Sequence, residues 1–244
     1  MKRITLTFLL VMALWNLSAP AGASITPVSG EQSAVDEKLL QFTSGGHVLG
    51  FGQDAVIVAG MDRMLRVEFV GGRPVRPVAQ DADTADTAQP LSQVMYSELW
   101  EGVDVVYRTT AGGIFESVYR VRNPGGGPGA EQIRLRYNRP ISLDGQGNLV
   151  TAFSNGNMIE SAPVAWQEVG GARRPVQVAF VLRGECEVGF DLSGFLPGIS
   201  VTIDPLLTWN NTFLGGDSGD SGNAIAVDGL GNVYVGGLQQ FDLG

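Results

Sequence analysis

The sequence predicts an all-β protein, most of it an antiparallel sandwich or roll, and three observations carry that expectation. Apolar and polar residues alternate with a period of two in window after window. Glycine is abundant, 34 of 244 residues, about one in seven against a usual one in fourteen. The glycines fall between the alternating runs without a collagen-like period, and helical periodicity is almost absent. Short period-two runs divided by glycine turns are the pattern of half-buried antiparallel strands.

Taken in chain order, the first element reads as an export signal. Lys2 and Arg3 are followed by Ile4 to Leu17, apolar apart from Thr5, Thr7 and Asn16. Pro20 then precedes Ala21-Gly22-Ala23, a small-x-small cleavage pattern that places the mature start at Ser24. The run of roughly 14 residues is short of the roughly 20 that a spanning helix needs. A lipoprotein signal needs cysteine where Ser24 stands. No later segment is apolar enough to span a bilayer as a helix. Without Lys2 and Arg3, 14 basic residues face 25 acidic ones. An acidic chain has no electrostatic footprint for nucleic acid, and negative charge suits a soluble exported protein.

The one helical candidate is Glu31 to Phe42, where Val35, Leu39, Leu40 and Phe42 lie near one stripe. Strands follow. Leu65, Val67 and Phe69 share a face against Arg66 and Glu68. Phe115, Ser117, Tyr119 and Val121 oppose Glu116, Arg120 and Arg122. Ile133, Leu135 and Tyr137 oppose Arg134, Arg136 and Asn138. Val176, Val178, Phe180 and Leu182 oppose Gln177 and Arg183. Cys186, the only cysteine, shares a predicted strand face with Val188, Phe190 and Leu192 and reads as a small buried hydrophobe. A single cysteine allows no internal disulfide, so the core must stabilise the fold.

The turns fit these strands. Gly170-Gly171 reads as a tight hairpin between "APVAWQEV" and "RRPVQVAFVL". Asn123 to Gly129 is a longer connection, and Asp81 to Pro90 is an acidic surface loop. "ISLDGQGNLV" (141–150) and "IAVDGLGNVYV" (225–235) share an apolar strand, Asp-Gly-x-Gly-Asn, and a second apolar strand. Asp and Asn bond back to their own backbone in such turns. Ile203-Asp204-Pro205 marks a junction, because proline holds the preceding residue extended and interrupts a ladder.

Candidate chemistry is sparse. Gly216-Asp217-Ser218-Gly219 looks like a serine-protease nucleophile loop, and a His47, Asp104, Ser218 order is formally present. A nucleophilic serine needs a base and an orienting carboxylate within hydrogen-bond reach, and nothing singles out Asp104 from the other acids. Asp217, Asp220, Asn223 and Asp228 place oxygens near tight turns and are the weak calcium candidate, although six to eight oxygens are needed and the EF-hand pattern is missing. One His and one Cys cannot build a usual zinc site, and no phosphate loop occurs. Glu98, Glu101 and Asp104, beside Trp100 and Tyr107 in "SELWEGVDVVY", are the most site-like acids. They support the alternative of an extracellular carbohydrate-active hydrolase using a carboxylate pair. Asn210-Asn211-Thr212 is a glycosylation sequon, meaningful only in a eukaryotic secretory host.

At this point the residues resemble a family. "NTFLGGDSGDSGNAIAVDGLGNVYVGG" resembles the start of an SBBP-type β-propeller repeat. "GHVLGF", "LRVEFVG", "WEGVDVVY", "AEQIRLRY", "DGQGNLV", "APVAWQEVGGARRPVQVAFVL" and "TIDPLLTW" are similar, in order, to the uncharacterised all-β domain that often precedes such repeats in bacterial exported proteins. The chain departs from the pattern near Asp81 to Ser97, which is short, and at Gly236-Gly237, where Thr-Gly is expected. The resemblance implies a signal peptide over 1–23, an all-β domain over 24–205 and a first, incomplete propeller blade over 206–244. A lone blade cannot bury both faces, so the chain reads as truncated or as a gene fragment. The implied function is a secreted or cell-surface, non-catalytic binding or structural module, with periplasm as the other compartment. Its partner is an unidentified extracellular glycan or protein, it carries no catalytic residues, and it needs no cofactor unless calcium binds. Ser218 is therefore expected to remain unlabelled by a fluorophosphonate probe, and stoichiometric labelling of Ser218 would restore the protease reading.

Overall fold

The computed structural model describes residues 9–10, 39–60, 63–80, 92–110, 113–122, 129–210, 221–228 and 233–238. The regular elements of the described chain are strands, apart from one 3-10 turn at Ala130–Gln132. A two-residue strand, β1 (Leu9–Leu10), pairs with the far C-terminal hairpin. A four-stranded meander follows: β2 (Leu40–Ser44), β3 (His47–Phe51), β4 (Ala55–Ala59) and β5 (Met64–Phe69). The helix expected to run to Phe42 is thus corrected over its last residues. Leu40, Gln41 and Phe42 are extended because pairing with Phe51, Gly50 and Leu49 satisfies their backbone.

The meander is one wing of a larger layer. β5 pairs with β10 (Arg134–Tyr137), β10 with β16 (Glu187–Ser193), and β16 with the second half of β15 (Ala172–Leu182). The second layer begins with β6 (Val78–Ala79), β7 (Gln93–Trp100), β8 (Val103–Arg108) and β9 (Phe115–Val121). Between β9 and β15 in sequence lie β11 (Ile141–Leu143), β12 (Leu149–Phe153), β13 (Gly156–Glu160) and β14 (Val164–Val169). β17 (Val201–Asp204) and β18 (Leu206–Asn210) both pair along the free edge of β9. Pro205 interrupts them, as the sequence suggests, and there the partners on the other side change: β17 pairs with β14 and β18 with β13. Leu206–Asn210, placed with the blade in the sequence reading, is therefore corrected to the large sheet.

Every pairing among the described residues is antiparallel, and β15 belongs to both layers. The first half of β15 pairs with β14 in one layer through Ala165↔Val176, and its second half pairs with β16 in the other through Gln177↔Ser193. Across the gap the layers pack aromatic side chains edge to face, with ring centroids 5.1 Å apart for Phe69–Tyr96 and 5.8 Å for Phe69–Trp100. The polar ends of these rings are satisfied: Tyr96 Oη donates to the Gly52 carbonyl at 2.7 Å and Trp100 Nε1 to the Val70 carbonyl at 3.1 Å. Aromatic groups with a bonded polar end tie layers together without an unpaired buried donor.

The last hairpin, β19 (Ser221–Val227) and β20 (Val233–Leu238), lies outside this sheet. β3 and β4 are buried at every position. Their inward side chains Leu49, Phe51, Val56 and Val58 enter the main core. Their outward ones, Val48, Ile57 and Ala59, form a second cluster with Ile225 of the hairpin, against which Met64, Val227, Val233 and Val235 pack.

Two predicted strand faces hold throughout: Leu65, Val67 and Phe69 are buried, as are Phe115, Ser117, Tyr119 and Val121. On the predicted face of β15, Val176 and Phe180 are buried and Val178 half-buried, but Leu182 is corrected to exposed, at the end of the strand. Cys186 is corrected. It is half-buried and precedes β16, because the chain bends at 184–186 before pairing resumes at Glu187.

The Gly170-Gly171 hairpin joins β14 to β15 with Val169 opposite Ala172. The two glycines have φ of +60° and +82°, and a Cβ at either meets nothing within 4 Å. A substitution here therefore reads backbone strain alone. Gly171→Ala is expected to cost about 1–2 kcal/mol in urea unfolding, while Gly170→Asn, which suits this turn, stays close to neutral. Equal effects of the two would contradict the turn geometry.

Candidate functional site

The acids singled out in the sequence meet at a bulge. β7 and β8 lose register between Tyr96 and Trp100, and Glu98 there has φ +55°, the one non-glycine residue with positive φ among the described residues. Such a conformation costs a branched or bulky side chain free energy unless its surroundings fix it. Here they do. The Glu98 N–H donates to Asp104 Oδ1 at 2.9 Å, and Glu98 Oε2 accepts the Gly102 N–H at 3.1 Å. Arg122 pairs with Glu98 and, at 3.4 Å, with Asp104. Arg73 reaches Glu98 at 3.4 Å. Asp104 is 8 % exposed, and burial pushes its carboxyl up while the charge of Arg120 pulls it part of the way back. Glu101 lies in the turn, exposed, its carbonyl accepting Gln132 Nε2 at 2.7 Å.

Of the three expected acids, then, the fold brings together Glu98 and Asp104 and leaves Glu101 aside. The pair is engaged with arginines and backbone N–H groups, and that arrangement fixes a bulge. A glycosidase pair must instead flank a bound sugar, with one carboxyl protonated. Cavities occur among the described residues. One of about 40 Å³ lies against Leu39, Phe51 and Arg76, and one of about 10 Å³ lies inside the core. Neither is lined by Glu98, Glu101 or Asp104.

The protease order is dispersed. His47 opens β3 in one layer, 4 % exposed, with Nδ1 2.8 Å from the Gly45 carbonyl. Asp104 is in β8 of the other layer, and Ser218 lies outside the described residues. Asp217 and Asp220 of the calcium candidate also lie outside them. Asn223 lies in β19, and Asp228 follows its last residue, Val227. Asp228 accepts the Tyr234 hydroxyl at 3.0 Å. The sister turn shows what such residues do: Asp144 Oδ1 accepts the N–H groups of Gln146 and Asn148, and Asn148 Oδ1 accepts that of Ala162. Asn148 Nδ2 also donates to Asp144 Oδ2 at 2.8 Å, and the bonds to Asp144 hold its carboxyl below its usual range, the one from the Asn148 side chain contributing most.

Sequence reasoning missed the most unusual ionisable group, Glu160. It ends β13, opposite Leu149 and Leu207, and points into the core at 6 % exposure. The small cavity beside it is lined by Tyr107, Tyr119, Tyr137 and Ser117 among apolar neighbours, and Tyr137 Oη donates to Glu160 Oε1 at 2.5 Å. No arginine lines this cavity. A buried carboxylate without a cation is expensive, so burial favours the protonated form. Burial pushes its pKa up to about 7, and the Tyr137 hydrogen bond offsets part of the shift. The available signal was the period of two in "GNMIE", which puts Glu160 on the same face as Met158.

The folded-state pKa of Glu160 lies above its unfolded value. The contribution of this residue is therefore most favourable below about pH 4.5, declines as pH rises, and is lost once pH passes about 7. A shift of that size amounts to roughly 3 kcal/mol. Glu160→Gln removes the titration and keeps an acceptor for Tyr137. Its stability relative to the unsubstituted chain is expected to rise by up to about 3 kcal/mol between pH 4 and pH 8 in urea melts. A pH-independent difference would disprove the neutral buried acid.

The comparisons with known proteins agree with this architecture. A domain of unknown function, DUF7948, matches residues 77–206. A β-propeller repeat, SBBP, matches residues 212–238, which include β19 and β20. No curated protein and no solved structure matches the chain. No helix among the described residues is long and apolar enough to cross a membrane. The repeat suggests a non-catalytic binding or structural module, and its hairpin fits part of a propeller blade. The first match spans more than half of the chain, so the protein belongs to the DUF7948 family, here followed by an SBBP β-propeller repeat.

Proposed function

We propose that the protein is a secreted or cell-surface binding or structural module of a bacterium, the N-terminal head of a β-propeller protein, and that it has no catalytic role. In this reading residues 1–23 are an export signal, the head runs from Ser24 through the large sheet, and the repeat that follows belongs to an interaction platform. The partner is an extracellular glycan or protein.

One observation supports the reading above the others: a propeller repeat is seated on a sheet whose most site-like acids are already engaged. Glu98 and Asp104 bind arginines and backbone groups at a bulge, and Glu160 is sealed in the core. A rigid sheet that presents a turn-rich unit is a common basis for recognition. The Lys2-Arg3 start, the apolar run and the Ala21-Gly22-Ala23 site support export.

The test uses the unsubstituted chain against a panel of cell-wall glycans and surface proteins. The expected result is at least one ligand retained above background, with no turnover, and retained equally by Glu101→Gln. A panel that retains nothing, or glycan turnover that disappears in Glu101→Gln, would overturn the proposal.

A further inference from the structure

Residues 40–69 fall outside both family matches, yet they form the surface on which the repeat sits. They make a four-stranded up-and-down meander, β2 to β5, with strands of 5, 5, 5 and 6 residues. A four-stranded antiparallel sheet is also the unit of a propeller blade. A meander at the surface of a sandwich should be apolar on one face and polar on the other. This one is not. "AVIVA" of β4 and "HVLGF" of β3 are buried at every position, so both faces need a cover.

The inner cover is the core; the outer cover is the repeat hairpin. Gly50 pairs with Gln41 on one side and Ile57 on the other, which leaves a notch between two larger residues. Ile225 fills it: a Cβ on Gly50 would stand 2.9 Å from Ile225 Cγ2. Gln41 Oε1 accepts the Ile225 N–H at 3.0 Å, so the cover is polar as well as apolar in its match. Val48, Ile57 and Ala59 complete the seat, and Val227, Val233 and Val235 pack around it.

A two-stranded hairpin is marginal in water by itself, and repeat units depend on a neighbour for half of their burial. We propose that the Leu40–Phe69 meander is a capping blade: it takes the place of a neighbouring blade for the first repeat, which docks by Ile225 into the Gly50 notch. The proposal rests on reading 212–238 as a propeller repeat and names the surface that receives it. One sheet then serves two cores, with its inner face in the sandwich and its outer face as the end wall of the propeller.

The experiment is amide hydrogen exchange on the full chain, which needs no ligand and so fails or succeeds apart from the ligand panel. Gly50→Ala places a methyl in the notch, Ile225→Ala empties it, and the double variant exchanges one for the other. Each single variant is expected to exchange at least tenfold faster at 224–227 and 233–237, with 129–210 unchanged. The double variant is expected to recover protection relative to Gly50→Ala, as coupled neighbours do. Hairpin protection equal to that of the unsubstituted chain in both single variants, purely additive effects, or loss spread equally through 129–210 would each overturn the proposal.

Discussion

The strand Ala172–Leu182 is the constraint on which the rest depends. It belongs to both layers, pairing with β14 through its first half and β16 through its second. A sheet that shares a strand with the layer facing it cannot slide against it, so the aromatic contacts between layers have one register. On the other side of the core, Tyr96 and Trp100 bond to backbone carbonyls of the facing layer. With the layers pinned at both places, tyrosines 107, 119 and 137 and Glu160 meet in one cavity. Their hydroxyls satisfy one another and the acid, which is why a polar cluster is tolerated in the middle of an otherwise apolar core.

The charged residues divide by position more than by kind. In the sheet body, arginines pair with acids on the outer surface, within a strand and across strands. Arg66 meets Asp54 and Glu68, Arg134 meets Glu187, and Arg136 meets both Glu68 and Glu187. Glu187 sits between two guanidiniums that hold its carboxyl below the usual range, chiefly through the Arg134 hydrogen bond. Exposed pairs of this kind contribute little each. Their value here is to cover the part of the outer face that the hairpin leaves open, and opposite charges directly across a ladder also disfavour a shifted register.

Much of this was legible in the sequence because strands announce themselves locally. The period of two assigned the buried faces of β5, β9 and β10 and the two Asp-Gly-x-Gly-Asn hairpins, and Gly170-Gly171 named its turn. What failed was long-range. Leu40 to Phe42 carry a helical spacing that partner strands override. Leu206 to Asn210 follow a proline that looks like a boundary, and the edge of β9 recruits them into the large sheet. Glu98, Glu101 and Asp104 look like a site because acids beside aromatics often are one, and only the bulge shows that Glu98 and Asp104 serve the backbone. Glu160 was overlooked because composition counts an acid as solvated, whereas its place in the alternation put it inside.

Electrostatics sets a further condition on what this molecule can recognise. The last basic residue is Arg183, and residues 184–244 hold Glu185, Glu187, Asp191, Asp204, Asp217, Asp220, Asp228 and Asp242 with no Lys, Arg or His. Of these, Glu187 and Asp204 are balanced by arginines of earlier strands. The repeat's own aspartates, 217, 220 and 228, have no basic residue within 212–238 to balance them. A segment with that net charge repels polyanions and attracts cations at low ionic strength, and the effect fades within a Debye length as salt rises. A polyanion is therefore the class of partner that the charge of this segment disfavours.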